Sequence, residues 1–179
     1  SFKEVMGQVE GKLRKQVVQE GTIPEGSYTL NVEAIPDEGG AGMITSPQSV
    51  SPFTVRYPQP PILINPSDES NLTLTSPVFN WTPVVGIQGY PIQYNFLLVE
   101  VLENQTPLQA INSNRAHAER SVIDQNTIIY TPEFLLLEEG RQYAWQVKVG
   151  SVDRPLPIKS DGYSEIHTFV YKQGITDEE

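Results

Sequence analysis

Apolar and polar residues alternate with a period of two along most of this chain, and with a helical period only near its start. The clearest stretch is Pro132 to Gly150. A leucine-rich turn leads to a stop at Gly140, and Tyr143, Trp145, Val147 and Val149 then point one way while Ala144, Gln146 and Lys148 point the other. That alternation predicts a half-buried strand. Near the start, Phe2, Val5, Val9, Leu13 and Val17 fall on one helical stripe, with Met6 beside it. Lys3, Lys12, Arg14, Lys15 and Glu20 lie opposite. A helix over residues 2–20 is expected, stopped by Gly21 and Pro24. Gly7 and Gly11 each cost that helix about 1 kcal/mol. Its expected role is to cap the open end of a β-sandwich; partner-binding and membrane-surface roles are the alternatives.

The strands follow in quick order. Pro24-Glu25-Gly26 is a turn; Tyr28, Leu30, Val32 and Ala34 then alternate with polar residues as a half-buried strand. A loose loop over residues 36–42 leads to a second strand at 49–57, with Phe53 and Val55 inward, completing a hairpin. Tyr57-Pro58-Gln59-Pro60-Pro61 reads as a semi-rigid proline linker. Short strands are expected at Ile62–Ile64, around Leu72 and Leu74, and at Phe79 and Trp81. Pro91 to Leu102 is the longest, with Tyr94, Phe96 and Leu98 on one face and Leu97, Val99 and Val101 on the other. Apolar residues on both faces predict that the outer face is also covered, by the N-terminal helix, the hairpin or a partner. Glu103 to Arg120 reads as a long polar connection with a short strand at Leu108–Ile111. Ile123–Tyr130 and Ser164–Tyr171 are further strands, with a hairpin loop over residues 151–162 before the last.

Composition narrows the function classes. The chain has 179 residues, enough for one large or two small domains, and 15 prolines and 13 glycines suit short strands joined by turns. Twelve basic against 22 acidic residues give a net charge of -10, which disfavours nucleic acid and anionic lipid as partners. There are no cysteines, so disulfides, thiolate catalysis and cysteine-based zinc sites are excluded. No run reaches the roughly 18 to 20 apolar residues of a membrane helix, and no membrane insertion is expected. The opening Ser1-Phe2-Lys3, without a Met, suggests a fragment or processed piece of a longer protein.

Candidate chemistry is sparse. His117 and His167 lack metal-site spacing and read as surface or edge residues. No G-x-S-x-G elbow or phosphate-binding glycine loop is present. The acidic pairs Asp37-Glu38, Asp68-Glu69 and Glu138-Glu139 read as solvated turns rather than glycosidase carboxyls. Asp153 and Asp161 flank the last hairpin without a calcium-loop spacing. Tyr57, Tyr90, Tyr163 and Tyr171 lie near strand ends or loops, where edge packing or an aromatic platform for sugar are the two readings. No catalytic, cofactor-binding or metal-ligating residue is assigned, and no cofactor is expected.

Residues 60–172 resemble a fibronectin type III domain. The features are Pro60-Pro61, Trp81 in PVFNWTP, Tyr94, the run LEEGRQYAWQV with Leu137, Gly140, Tyr143 and Trp145, and Ser164-Glu165 with Phe169. The Leu-x-x-Gly-x-x-Tyr spacing resembles the family's tyrosine corner, in which the hydroxyl bonds to upstream backbone. The string Gly21 to Tyr28 repeats that logic and looks like the end of a preceding sandwich. The whole pattern is similar to repeated segments of large envelope or secreted proteins of Bacteroidetes-type bacteria. The resemblance implies an all-β, Greek-key, immunoglobulin-like sandwich preceded by a helix and hairpin from a partial sandwich unit. The expected divisions are 1–57 for that partial unit, 58–61 for the linker, 62–172 for the sandwich and 173–179 for an acidic tail. The expected function is a non-enzymatic structural and protein-interaction module of a larger extracytoplasmic bacterial protein. Phe79, Trp81, Tyr94, Tyr143 and Trp145 would form its core, and contacts would fall on loops and on the outer face of Pro91–Leu102. The alternative is a carbohydrate-binding accessory module of a secreted enzyme, with a glycan as partner at Tyr90 or Tyr163.

Overall fold

A computed structural model of the chain describes residues 17–19, 21–32, 49–87, 89–152 and 156–172. The chain divides into two compact units, Ser1–Tyr57 and Pro58–Glu179. The expected helix falls outside the described residues except at 17–19, which are helical. Gly21 stands at φ 67°, the left-handed conformation that ends helices, and its N–H donates to the Val17 carbonyl (3.1 Å). The 36–42 loop, the acidic tail, Asp37-Glu38 and Asp153 also lie outside the described residues.

In the first unit, β1 (Gly26–Val32) and β2 (Ser49–Val55) form an antiparallel hairpin. Tyr28 stands opposite Phe53, and their rings stack at 5.5 Å. The Tyr28 hydroxyl donates to the Pro24 carbonyl (2.8 Å). The Tyr57 amide donates to the Glu25 carboxylate (2.7 Å) and the Tyr57 hydroxyl to the Ile23 carbonyl (3.1 Å), which ties the turn before β1 to the end of β2. The expected burial holds only in part. Leu30 and Val32 are exposed, and Phe53, expected inward, is 40% exposed. Among the described residues of this unit, no second layer lies over either face of the two-stranded ribbon.

The second unit is an all-β Greek-key sandwich. Its strands are β3 (Leu63–Asn65), β4 (Ser70–Leu72), β5 (Val78–Trp81), β6 (Ile92–Val101), β7 (Ala116–Ile123), β8 (Thr127–Ile129), β9 (Gln142–Ser151) and β10 (His167–Tyr171), with helix α1 (Pro107–Ser113) between β6 and β7. The five-stranded sheet runs β4-β10-β9-β6-β7 and the three-stranded sheet β3-β5-β8. All pairings are antiparallel except β4 beside β10. The inner faces meet in an aromatic core. Phe79 reaches Phe96 (4.9 Å) and Trp145 (5.1 Å), and Trp81 packs on Tyr94 (5.6 Å). Phe79, Trp81, Tyr94, Tyr143 and Trp145 are all buried, as the alternation predicts. Each contributes about 1.5–3 kcal/mol by leaving water.

The tyrosine corner takes the expected form. The Tyr143 hydroxyl accepts the Glu138 N–H at 2.9 Å, and Gly140 turns the chain at φ 78°. Beside it, the Tyr130 hydroxyl donates to the Leu135 carbonyl. At the other end of the unit, Pro61 is fully buried and the Pro58 carbonyl accepts the Lys159 N–H (3.1 Å).

Three expectations are corrected. The stretch at Leu108–Ile111 is helical rather than extended. Thr106 caps α1: its hydroxyl accepts the Gln109 N–H (3.2 Å), and the Gln109 side-chain oxygen accepts the Thr106 N–H (2.8 Å). With Pro107 in the first turn, this is a capping box that outweighs the β-preference of one isoleucine. Second, the polar connection contains β7, and the strand expected over Ile123–Tyr130 is only Thr127–Ile129. Asp124, at φ 53°, breaks the run, and its carboxylate accepts the Ile92 N–H (2.9 Å). Third, the cover over the outer face of β6 comes from α1, whose buried Ala110 packs with Val99 and Ala144.

Candidate functional site

The groups capable of proton chemistry are built into the fold. His117 is the extra residue of a β-bulge, since Leu98 pairs with Ala118 and Val99 with Ala116. The bulge turns its ring edge-on to Tyr143 (4.9 Å), with Nε2 3.0 Å from the Leu136 carbonyl. The His167 ring stands perpendicular to Trp145 (5.9 Å), with Nδ1 3.3 Å from the Pro66 carbonyl. Asp68 fastens the loop before β4 to β10. Its Oδ1 accepts the Thr168 N–H (2.7 Å), the Thr168 hydroxyl (3.1 Å) and the Glu69 N–H (3.0 Å). Partial burial pushes the Asp68 carboxyl up, but these hydrogen bonds and the nearby His167 outweigh it and hold it below its ordinary value. Burial pushes the phenols of Tyr94, Tyr130 and Tyr143 above their ordinary value, so they stay protonated at neutral pH. Glu138 pairs with Arg141 (3.6 Å), which also reaches Glu100 (3.4 Å). Among the described residues, no three histidine or acidic side chains gather to hold a metal ion. No helix among them is long and apolar enough to cross a membrane.

The outer surfaces of the two sheets differ. On the five-stranded sheet, α1 buries Val99 and Ala144, so part of the expected contact face is closed. On the three-stranded sheet nothing comparable lies among the described residues. Ile62 (66% exposed), Ile64 (52%) and Ile129 (56%) stand there, with Val78 directly opposite Ile129. These positions alternate with the inward Leu63, Phe79 and Ile128. An apolar residue on both faces of a short strand is the signal in the sequence that marks this second face.

The four candidate tyrosines do not form one platform. Tyr171 is buried, and Tyr57 belongs to the first unit. Tyr163, 42% exposed, lines a groove of about 510 Å³ between residues 59–63 and 160–167. Its position follows from a left-handed turn in which Ser160, Asp161 and Gly162 stand at φ 53°, 51° and 79°. The Tyr163 N–H closes that turn on the Ser160 carbonyl (2.9 Å), and Tyr163 bridges to Lys148 of β9. The Lys148 ammonium lies 4.5 Å from the ring centroid. Ser164 anchors the next position: its N–H donates to the Val147 carbonyl (2.9 Å) and its hydroxyl accepts the Val147 N–H (3.0 Å). The sequence marks Tyr163 as a loop aromatic, but not the groove, whose two walls lie about a hundred residues apart.

No protein-family model matches the chain, and no curated protein matches it. Among solved structures, it is similar to an alpha-L-rhamnosidase from Dictyoglumus thermophilum, at 17% identity and a TM-score of 0.46, over 69% of this chain and 13% of that one. It is also similar to the chicken CNTN1 FN1-FN3 domains, at 14% identity and a TM-score of 0.38, over 84% of this chain and 45% of that one. The chain thus spans less than half the length of either.

Proposed function

We propose that the chain is a non-catalytic structural and interaction module of a larger bacterial envelope or secreted protein, of the Bacteroidetes-type repeat kind, acting as spacer and contact surface. The observation that carries this reading is the outer face of the three-stranded sheet, where Ile62, Ile64 and Ile129 stand in water beside Val78. Large apolar side chains grouped on a sheet face favour a protein contact over a solvated surface. Asp68, His117 and His167, the residues best suited to acid–base work, instead tie strands and loops together, which supports a structural over a catalytic role. The partner would be another domain of the parent protein or a separate protein, outside the cytoplasm.

Hydroxyl-radical footprinting tests the contact. Ile62, Ile64 and Ile129 should oxidise readily in the isolated chain and be protected within the intact parent protein. Equal oxidation in both settings would refute the contact role. Turnover of any substrate in a panel of glycosides, esters and peptides would refute the non-catalytic one, and cytoplasmic recovery of the parent on fractionation would refute the location.

A further inference from the structure

We propose that the groove beside Tyr163 binds a neutral sugar, which stacks on the Tyr163 ring and is gripped by Gln59, Ser160 and Glu165. This deepens the reading of the chain as a non-catalytic interaction module, and rests on it, by naming a ligand class.

Four observations converge. First, one wall carries apolar rings and branches, Pro60 and Ile62, and the other an exposed phenol ring, Tyr163. Such surfaces suit the C–H face of a pyranose. Second, the Ser164 hydroxyl is taken up by Val147, but three other polar side chains on the walls are unspent. Among the described residues, the side chains of Gln59, Ser160 and Glu165 have no hydrogen-bond partner, leaving an amide, a hydroxyl and a carboxylate for ligand hydroxyls. A mainly apolar concavity with a few convergent polar groups is the usual form of a small-ligand site. Third, the ring is held in place. Lys148 sits on it, and the turn that presents it keeps two non-glycine residues, Ser160 and Asp161, in left-handed backbone. Strain of that kind gathers at ligand clamps, and a fixed ring loses little freedom on binding. Gly162 is needed there, because a Cβ would lie 2.3 Å from the Val149 carbonyl oxygen. Fourth, His167 is anchored through Nδ1 on Pro66, which leaves Nε2 for a ligand hydroxyl.

The same residues disfavour other ligands. An extended peptide adding to the edge of β3 would find only a short edge, the three residues Leu63–Asn65, because Pro60, Pro61 and Pro66 on either side have no backbone donor. An anionic ligand would meet Glu165 on a chain of net charge -10, with the nearby Lys148 already on the tyrosine ring.

The test is an amide-shift NMR titration of the full chain with maltotriose, mannotriose and xylotriose, each to millimolar concentration. At least one sugar should shift the amides of Gln59, Ile62, Ser160, Tyr163, Glu165 and His167 and leave β5 and β8, away from the groove, unmoved. Tyr163→Ala should weaken that binding at least tenfold, Tyr163→Phe by less than threefold, and Tyr90→Ala should not change it. If Tyr163→Ala fails to fold, Glu165→Ala, whose side chain bonds nothing among the described residues, should still cost several-fold. No shift with any of the three sugars, shifts away from the groove, or full binding by the folded Tyr163→Ala variant overturns the proposal. So does binding of a strand-forming peptide in place of sugar. The module reading survives those outcomes, because footprinting and turnover test it separately.

Discussion

Replacing Tyr143 by Phe removes one oxygen atom from the sandwich and nothing else. The ring is fully buried, stacked on Phe169 at 5.5 Å and met edge-on by His117 at 4.9 Å, and the phenylalanine ring would keep both contacts. What is lost is the bond from the Glu138 N–H at 2.9 Å. A neutral hydrogen bond is worth about 1 kcal/mol net, and leaving its donor unpaired in a partly buried place raises the cost toward 2. Because Glu138 is itself exposed, water can replace part of the bond, so the expected loss is about 1–1.5 kcal/mol. For a unit of this size that is a fall in Tm of about 3–6 °C. The assay is urea unfolding followed by tryptophan fluorescence. Both tryptophans of the chain, Trp81 and Trp145, are buried in the sandwich core, so the signal reports the second unit alone. The midpoint should fall with an unchanged slope, and the Glu138 amide should exchange faster with solvent. A loss below about 0.3 kcal/mol would refute the corner as a pin. A loss as large as the roughly 3–5 kcal/mol of a full aromatic deletion would mean that the hydroxyl positions the ring itself.

Two further substitutions test other parts of the frame. Asp68 has a folded pKa depressed below its unfolded value, so its stabilisation is complete above about pH 4 and is lost as pH falls through the folded value. Asp68→Asn should therefore cost about 1 kcal/mol at neutral pH, a figure kept low by the group's exposure, and should flatten the acid limb of the urea midpoint against pH; parallel limbs for both proteins would refute the clamp. Gly162→Ala combines a left-handed backbone with a Cβ 2.3 Å from the Val149 carbonyl, which is held in the sheet opposite Tyr94, and should cost at least about 3 kcal/mol by the same fluorescence assay; wild-type stability would show that the turn can rearrange.

How much of this was legible in the sequence depends on how local each signal is. The β9 core residues Tyr143, Trp145, Val147 and Val149 are set by alternation within one strand, and the corner by a six-residue spacing. Helix α1 was equally local, since Thr106-Pro107-Leu108-Gln109 is a capping sequence, but the polarity of the flanking residues masks it. Strand β7 is harder to see. Its inward positions include the small Ala118 opposite Leu98, and its Glu119 and Arg120 read as loop. Only pairing with β6 makes that segment a strand, a tertiary effect that intrinsic preference does not report. The Tyr163 groove depends on bringing Gln59 and Pro60 to Ser160 and Glu165, which no local pattern encodes.

The two sheets solve the problem of a second apolar face in opposite ways, and this difference bears on where the proposed contact would lie. On the large sheet, α1 can lie close because the contact is alanine on alanine, Ala110 against Ala144, with Val99 beside them. The capping box holds the helix in place, so the covering layer comes from the chain between β6 and β7 and leaves little there for a partner. On the small sheet, the strands are three or four residues long and carry isoleucine outward at Ile64 and Ile129. No connection among the described residues crosses that face as α1 crosses the other. Branched residues serve strand formation on either face, but three exposed isoleucines exceed what strand preference alone requires. The outer face of Pro91–Leu102 is therefore a poor place to seek a partner, and the face of β3, β5 and β8, next to the Tyr163 groove through their shared Ile62, is the better one.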